Sequence, residues 1–354
     1  MNRRQTGRKR EQVGPALFLL SCFCMNWLEK VEKNGQKWYN RGKMKEKIHS
    51  DFKKYAKAHP PLGRAVLPLI RFYGERLFAR EKSGDGVRVD KYLIPTFDGK
   101  EISAILYSPS KERKETLPCL IYFHGGGYSL PAGKYHYLLA RAYAKEAECK
   151  VLFVNYRLAP KHKFPVPVND CFSAYGYALQ NAELLGIDGN KIVVGGDSAG
   201  GALAAAVTLK AEENGISLPR AQLLVYPACG PFFETPSAVT HKHAPMCSEK
   251  DFQRFMHLYL KKGEKESVYL TPVLGVNADT PPTYVETAEF DFLRSCGEEY
   301  VKRLEESGVE YSFKQTEKTI HAYDMAFDSP STKQSIAARV EFLKGIFQKG
   351  ERKD

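Results

Sequence analysis

The sequence predicts an α/β protein whose mostly parallel sheet is flanked by helices and covered by a helical cap. From about residue 85 onward, short runs of β-branched and apolar residues alternate with longer stretches of helix-forming residues. This alternation is typical of parallel strands joined by crossover helices. Several of the runs are apolar throughout, as expected of strands buried on both faces. Two helical patterns precede the first strand, so they cannot lie within the sheet.

Length and composition describe an ordinary globular chain with an uneven charge distribution. The 354 residues suffice for one large domain or two medium ones. The net charge is +12, but residues 1–114 carry +14 and residues 115–354 carry −2. A basic segment can meet acidic lipid or nucleic acid, although solvated faces of surface helices explain it more simply. No nucleic-acid-binding motif accompanies the charge, so we expect no nucleic-acid partner, and membrane association stays open as an alternative.

Residues 1–28 form a basic and apolar tail. Five basic side chains within the first ten residues precede an apolar run at 15–25. This order resembles a signal peptide or a weak anchor, but no clear small-residue cleavage site follows it. A start at Met25, which would make residues 1–24 an artefact, or a disordered tail explains the segment as well. We favour the tail or the misplaced start.

Residues 29–84 are predicted to form the N-terminal helices of the cap. A helix is expected from about 36 to 59, with Met44, Ile48, Phe52 and Tyr55 on one apolar stripe. A second helix is expected at 62–80. Because the apolar stripe needs a partner, we expect the first helix to be a lid over a pocket and not a membrane anchor.

The remaining residues, 85–354, form the sheet domain. Asp98-Gly99 reads as the turn of a hairpin between its first two strands. The predicted strands are 89–94, 102–107, 117–123, 150–156, 192–194, 221–226, 283–288 and 310–315, and the predicted helices are 137–145, 170–185, 202–213, 297–307 and 333–348. Between about 228 and 281 the alternation lapses into loops around one helix at 249–262, which we interpret as an insertion that completes the cap.

The eight cysteines indicate a reducing compartment. Several lie within apolar runs, as Cys119 and Cys149 do, and only Cys22-x-Cys24 approaches a metal-type spacing. Reduced, buried thiols fit this pattern better than a disulfide framework. We therefore expect a cytoplasmic protein without a metal site.

Ser198 lies at a predicted strand-to-helix corner. The run 192–194 precedes Gly196-x-Ser198-x-Gly200, and an alanine-rich helix follows. A nucleophile at such a corner takes a strained backbone conformation, and side chains two positions to either side would clash with it. The helix points its first amides at the space above the serine, where an oxyanion can be stabilised. A plain strand-to-helix turn matches the glycine pattern too, but the flanking elements favour the functional interpretation.

The serine needs a base and an acid. Of nine histidines, only His321 lies between the last predicted strand and the last helix, where this architecture places the base. A carboxylate must then fix the imidazole tautomer, and in the chain order Ser–acid–His it follows the strand that ends near Ala288. Asp291 and Glu289 both qualify by position, and we favour Asp291.

A glycine-rich turn supplies donors for the developing negative charge. It reads His124-Gly125-Gly126-Gly127 and directly follows a predicted strand. The amides of Gly125, Gly126 and Gly127, with that of Ala199, form the predicted oxyanion hole. The turn lacks the lysine and the spacing of phosphate-binding loops, so no nucleotide cofactor is expected.

Five motifs in this order resemble the hormone-sensitive-lipase family of α/β-hydrolases. They are HGGGY at 124–128, YRLAP at 156–160, GDSAGG at 196–201, PPTYVETAEFDFLRSCG at 281–297 and IHAY at 320–323. The resemblance covers about 85–348 and implies an α/β-hydrolase fold with a cap, Ser198 as nucleophile, His321 as base and Asp291 as orienting acid. The sequence departs from the family pattern at Ser295, at Lys161 and at 322–323, of which the last borders the predicted site.

These arguments predict a serine carboxylesterase that hydrolyses small or short-chain acyl esters through an acyl-enzyme, without a cofactor. Its partner is the small-molecule ester, and a homodimer remains open. A deacetylase or amidase would use the same triad. A non-catalytic small-molecule receptor on this fold is disfavoured because His321 is present.

Overall fold

An eight-stranded sheet forms the centre of the computed structural model, which describes residues 47–63, 65–111, 116–230, 232–264 and 266–349. The strands are β1 Val87–Pro95, β2 Glu101–Pro109, β3 Leu117–Phe123, β4 Lys150–Asn155, β5 Ile187–Asp197, β6 Ala221–Val225, β7 Thr283–Phe290 and β8 Tyr311–Ile320. Their order in the sheet is β1-β2-β4-β3-β5-β6-β7-β8. The pairs β1–β2 and β2–β4 are antiparallel, and the other five pairs are parallel. The predicted α/β class with a mostly parallel sheet is confirmed.

Helices cover both faces of this sheet. They are α1 Leu67–Arg80, α2 Lys134–Glu146, α3 Val166–Gln180, α4 Ala182–Leu185, α5 Ala199–Glu213, α6 Pro236–Thr240, α7 Glu249–Tyr259, α8 Arg294–Glu306 and α9 Pro330–Gln348. The buried side chains of α3, α5 and α8 belong to the core on one face, and those of α2 and α9 belong to the core on the other. In β5, Val194 joins the first core and Val193 the second, which explains why the run is apolar without alternation.

The first predicted helix differs from the structure. Its residues 36–46, Met44 included, lie outside the described residues, as does the tail 1–28. Within the described part, a 3-10 helix spans Ser50–Tyr55, and the chain leaves helical geometry well before His59 because Pro60-Pro61 disfavours helix in the residues before it. Phe52 is fully buried and packs edge-on against Tyr323, with ring centroids 5.9 Å apart. The apolar stripe is therefore anchored on the body of the protein at Phe52.

The second predicted helix and the insertion are present with shifted bounds. Helix α1 starts at Leu67 and not at 62, with Pro68 in its first turn, where a missing N–H costs nothing. The region 228–281 contains the short α6 as well as the expected α7. Among the helices that the structure describes, none has the length and apolar character needed to cross a membrane.

Candidate active site

Ser198 occupies the sharp turn between β5 and α5. Its φ of 54° and ψ of −118° are strained values for a residue with a side chain. A Cβ atom on Gly196 would lie 2.2 Å from the Phe123 carbonyl oxygen, and one on Gly200 would lie 1.9 Å from the same atom. Glycine is therefore required on both sides of the serine. The Ser198 N–H donates to the Val225 carbonyl at 2.8 Å, which fixes the turn against β6.

The structure brings Ser198, His321 and Asp291 together. The Ser198 Oγ and His321 Nε2 atoms are 2.9 Å apart, and His321 Nδ1 lies 2.7 Å from Asp291 Oδ2. Because a carboxylate only accepts, Nδ1 carries the proton and Nε2 is free to accept the serine proton. Asp291 is fully buried, and its other oxygen accepts the Leu293 N–H at 2.9 Å. Hydrogen bonds thus fix both the position and the tautomer of the imidazole.

Glu289, the alternative acid, points elsewhere. Its Oε2 accepts the Lys318 N–H at 2.7 Å, so the side chain braces the end of β8. The geometry selects Asp291 as the partner of His321.

The glycine-rich turn presents two of its three predicted donors. The Gly125 N–H donates to Asp197 Oδ1 at 2.9 Å, so the prediction that it forms part of the oxyanion hole is wrong. Gly126 and Gly127 adopt φ values of 110° and 56°, which favour glycine. Within the described part of the chain, the N–H groups of Gly126, Gly127 and Ala199 donate to no protein acceptor. These three amides remain as oxyanion donors.

Asp197 is a site residue that the sequence argument quoted only as part of a motif. Its carboxylate accepts hydrogen bonds from the Tyr122 hydroxyl at 2.8 Å and the Gly125 amide, and His136 Nε2 lies at 3.2 Å. Burial would raise the pKa of Asp197, but His136 and these hydrogen bonds outweigh burial and hold it at about 2. The group therefore stays ionised and holds the glycine-rich turn in place next to the serine.

A neutral histidine supports the same turn. His124 Nδ1 lies 2.7 Å from the Gly125 carbonyl oxygen, which can only accept, so this nitrogen carries the proton. Burial, with His136 adding to it, lowers the pKa of His124 to about 3. His124 is thus an uncharged structural element of the turn.

A buried ionic cluster holds the loop that carries His321. Arg339 of α9 bonds Glu286 of β7 at 2.6 Å and Asp324 at 3.0 Å, and all three side chains are fully buried. The Tyr226 hydroxyl donates to Asp324 at 2.6 Å, and the Tyr226 ring stands edge-on to the His321 ring at 5.1 Å. Burial raises the pKa of Asp324, and the Arg339 charge opposes this. The cluster ties the histidine loop to the strand that precedes the acid.

Removal of Arg339 should be strongly destabilising. The substitution Arg339→Met leaves two buried carboxylates without their cation, for which the expected loss is about 3–5 kcal/mol of the free energy of unfolding. Urea unfolding of the variant measures this loss. Lys344→Met, at an exposed position on the same helix, serves as control and should stay within about 0.5 kcal/mol of the parent. A loss below about 1 kcal/mol for Arg339→Met would contradict the role of the cluster.

The triad opens into an apolar pocket of about 380 Å³. The N-terminal segment contributes Tyr55 and Pro61, and the insertion contributes Met246 and Phe255. A Cβ atom on Gly127 would lie 2.1 Å from the Phe255 ring, so the ring of α7 lies directly against the oxyanion turn. Residues 29–84 and the insertion thus both shape the space above Ser198.

One group of possible metal ligands coincides with the triad. The ligand atoms of Cys247, Asp291 and His321 lie within 4.8 Å of one another. A cation bound to them would have to displace the proton between His321 and Asp291, which are already in hydrogen-bond contact. The arrangement is explained by that hydrogen bond.

A family model described as the alpha/beta hydrolase fold matches residues 120–325. The arylesterase of Saccharolobus solfataricus is 32% identical over 283 residues, which span 79% of this chain and 90% of that protein. The chain belongs to the α/β-hydrolase family. The family predicted from the five motifs is thereby confirmed.

Two further α/β-hydrolases indicate the range of relatives. The arylacetamide deacetylase of Bos taurus is 30% identical over 69% of this chain and 78% of its own length. The solved structure of a bacterial heroin esterase superposes with a TM-score of 0.74 at 30% identity, covering 82% of this chain and 95% of that one. Their names include both esters and amides.

Proposed function

We propose that the protein is a serine carboxylesterase in which Ser198, His321 and Asp291 act on small or short-chain acyl esters. The observation that carries this proposal is the hydrogen-bonded chain from Ser198 Oγ through His321 to Asp291, at 2.9 and 2.7 Å, at the floor of an apolar pocket. Relatives and structural neighbours that are named esterases support the same activity. The chain is a hydrolase that acts on ester bonds.

Acylation begins when His321 Nε2 takes the Ser198 proton as Oγ attacks the ester carbonyl. The imidazolium that forms is stabilised by the Asp291 carboxylate, which remains ionised. The carbonyl oxygen becomes an oxyanion and accepts hydrogen bonds from the three amides of Gly126, Gly127 and Ala199. His321 then gives its proton to the departing alkoxide, and the acyl group stays on Ser198.

Deacylation repeats these steps with water. His321 removes a proton from a water molecule that attacks the acyl carbonyl, and the same three amides stabilise the second oxyanion. Collapse returns the proton to Ser198 and releases the carboxylic acid. No cofactor takes part in this sequence of proton transfers.

The pocket supports uncharged, apolar substrates. Its walls include Tyr55, Met246 and Phe255, while the carboxylate of Asp197 is already satisfied by its own partners. A charged acyl group would lose its hydration here without gaining a partner. The volume of about 380 Å³ suits a short acyl chain with a small alcohol.

A panel of p-nitrophenyl esters and matched p-nitroanilides tests this proposal. We expect acetate to butyrate esters to be turned over much faster than the anilides, because an amine leaves only after protonation. The deacetylase alternative, which the relationship to arylacetamide deacetylase favours, predicts comparable rates for the two series. Absence of turnover on both series would support the receptor and defeat the esterase.

Tyr55 should influence the preference for acyl chain length. Phe52 was the natural choice from the sequence, but it packs in the core, whereas Tyr55 lines the pocket. The substitution Tyr55→Ala enlarges the pocket, so the ratio of kcat/KM for octanoate to that for acetate should rise about tenfold. Tyr311→Ala, at the start of β8, is the matched control and should leave the ratio unchanged. An unchanged ratio in Tyr55→Ala would defeat the proposed lid.

A reducing compartment, the cytoplasm, is our proposal for its location. The six cysteines of the described part are free and buried, as Cys119 and Cys149 are. Such thiols are usual where glutathione keeps cysteines reduced. Imaging of the tagged full-length chain in its native cell tests this, and residence in the secretory pathway would contradict it.

A further inference from the structure

The outward side of α1 exposes large apolar side chains along one stripe. Leu69 is 69% exposed, Phe72 57% and Tyr73 61%. Spacings of three and four residues place them on one face of a helix. We call this the α1 outer face; its residues are Val66, Leu69, Phe72, Tyr73, Arg76 and Arg80, and all six are exposed. An apolar stripe of this size on one helix is a feature of interaction sites.

The opposite side of α1 fixes the helix in this orientation. A Cβ atom on Gly74 would lie 2.4 Å from Pro131, so the helix backbone is in close contact with that residue. Arg71 donates to the carbonyl oxygens of Ser129 and Ala159. The helix cannot rotate to bury its outer face without losing these contacts.

The charge around the stripe is strongly positive. Residues 47–80 contain eight lysines and arginines against two acidic residues, whereas residues 115–354 carry −2. Arg76 and Arg80 extend the apolar stripe, and the Arg76 guanidinium lies 4.8 Å from the centre of the Phe72 ring. Aromatic and leucine side chains flanked by arginine form the pattern of a helix that lies in a membrane interface.

We propose that the α1 outer face docks on an anionic lipid bilayer, with Leu69, Phe72 and Tyr73 at the headgroup boundary and the arginines on lipid phosphates. An isologous contact between two copies would place Arg76 and Arg80 near their own counterparts, which the like charges oppose. Residues 1–46 are basic as well, with eleven lysines and arginines against four acidic residues, so they do not complement the arginines either. An anionic surface complements both parts of the face.

Docking at this face brings lipid close to the pocket. Pro61, which is exposed and lines the pocket, stands shortly before α1 in the chain, and Leu130 and Pro131 beneath the helix line it too. This step rests on the proposed function: an apolar ester dissolved in the bilayer would reach Ser198 from the docked side. The docking itself does not depend on turnover.

Vesicle co-sedimentation of the full-length chain tests the proposal without any substrate. The probes are vesicles of phosphatidylcholine with about 30 mol% phosphatidylserine and vesicles of phosphatidylcholine alone. We expect binding only to the anionic vesicles, and a binding constant that falls steeply between low and physiological salt. Phe72→Ser should lower the binding constant about tenfold, and Arg76→Glu should lower it by at least about fivefold.

Leu184→Ser is the matched control, because Leu184 is 65% exposed on α4, outside the α1 outer face. It should bind vesicles like the parent. Thermal unfolding and turnover of soluble p-nitrophenyl acetate report whether Phe72→Ser is folded. Equal vesicle binding by Phe72→Ser and the parent would overturn the proposal, as would absence of binding by the parent. A change of oligomeric state in Phe72→Ser, seen by light scattering, would make the face a contact between copies and would overturn it too.

Discussion

Replacing Ser198 by alanine is expected to lower kcat for p-nitrophenyl esters by a factor on the order of 10⁴–10⁶. The Oγ atom 2.9 Å from His321 Nε2 is the nucleophile, and its loss leaves only the oxyanion donors and substrate binding. The strained backbone at this position is unchanged by the substitution, because alanine keeps the Cβ atom. Initial rates at saturating ester, measured at high enzyme concentration, give the residual kcat.

Two controls separate chemistry from folding. Ser217→Ala changes an exposed serine away from the pocket and should retain full activity. A fluorophosphonate should add to the parent and to Ser217→Ala, as seen by intact mass, and should leave Ser198→Ala unmodified. Activity of Ser198→Ala within about tenfold of the parent, with a normal unfolding midpoint, would remove the serine from the mechanism.

The local part of this site was readable from the sequence. Gly196 and Gly200 announce the turn because no side chain fits there, and the structure gives the distances that forbid one. His321 was found by its place between the last strand and the last helix, since strand order along the chain fixes which loops meet at one edge of a parallel sheet. Local sterics and topology therefore carry most of the prediction.

The parts that failed depend on where a group points in three dimensions. Gly125 matches the donor pattern, but its N–H turns to Asp197, which lies 72 positions away in the chain. Phe52 matches a lid, but its partner is Tyr323. The pairing of Arg339 with Glu286 is equally remote. A charged residue in a helix usually signals a solvated face, so nothing in α9 distinguishes this arginine before its neighbours are known.

Asparagine at position 291 is expected to lower kcat by roughly 10⁴. The Asp291 carboxylate accepts from His321 Nδ1 at 2.7 Å, which leaves Nε2 deprotonated toward Ser198. An amide in its place can donate to Nδ1, so the proton moves to Nε2 and the base can no longer take the serine proton. The amide also lacks the charge that stabilises the imidazolium. Because Asn and Asp have nearly the same shape, the pocket and KM should change little.

Glu289→Gln is the matched control for this result. It makes the same exchange of carboxylate for amide two residues away, on a side chain that contacts the Lys318 amide and not the histidine. Its kcat should fall by less than about threefold, as for a surface hydrogen bond. Kinetics of the two variants, measured side by side with the unfolding midpoint of each, decide between the two acids. If Glu289→Gln lost more activity than Asp291→Asn, the orienting carboxylate would be Glu289, and the hydrogen bond seen at Asp291 would serve only to place the loop.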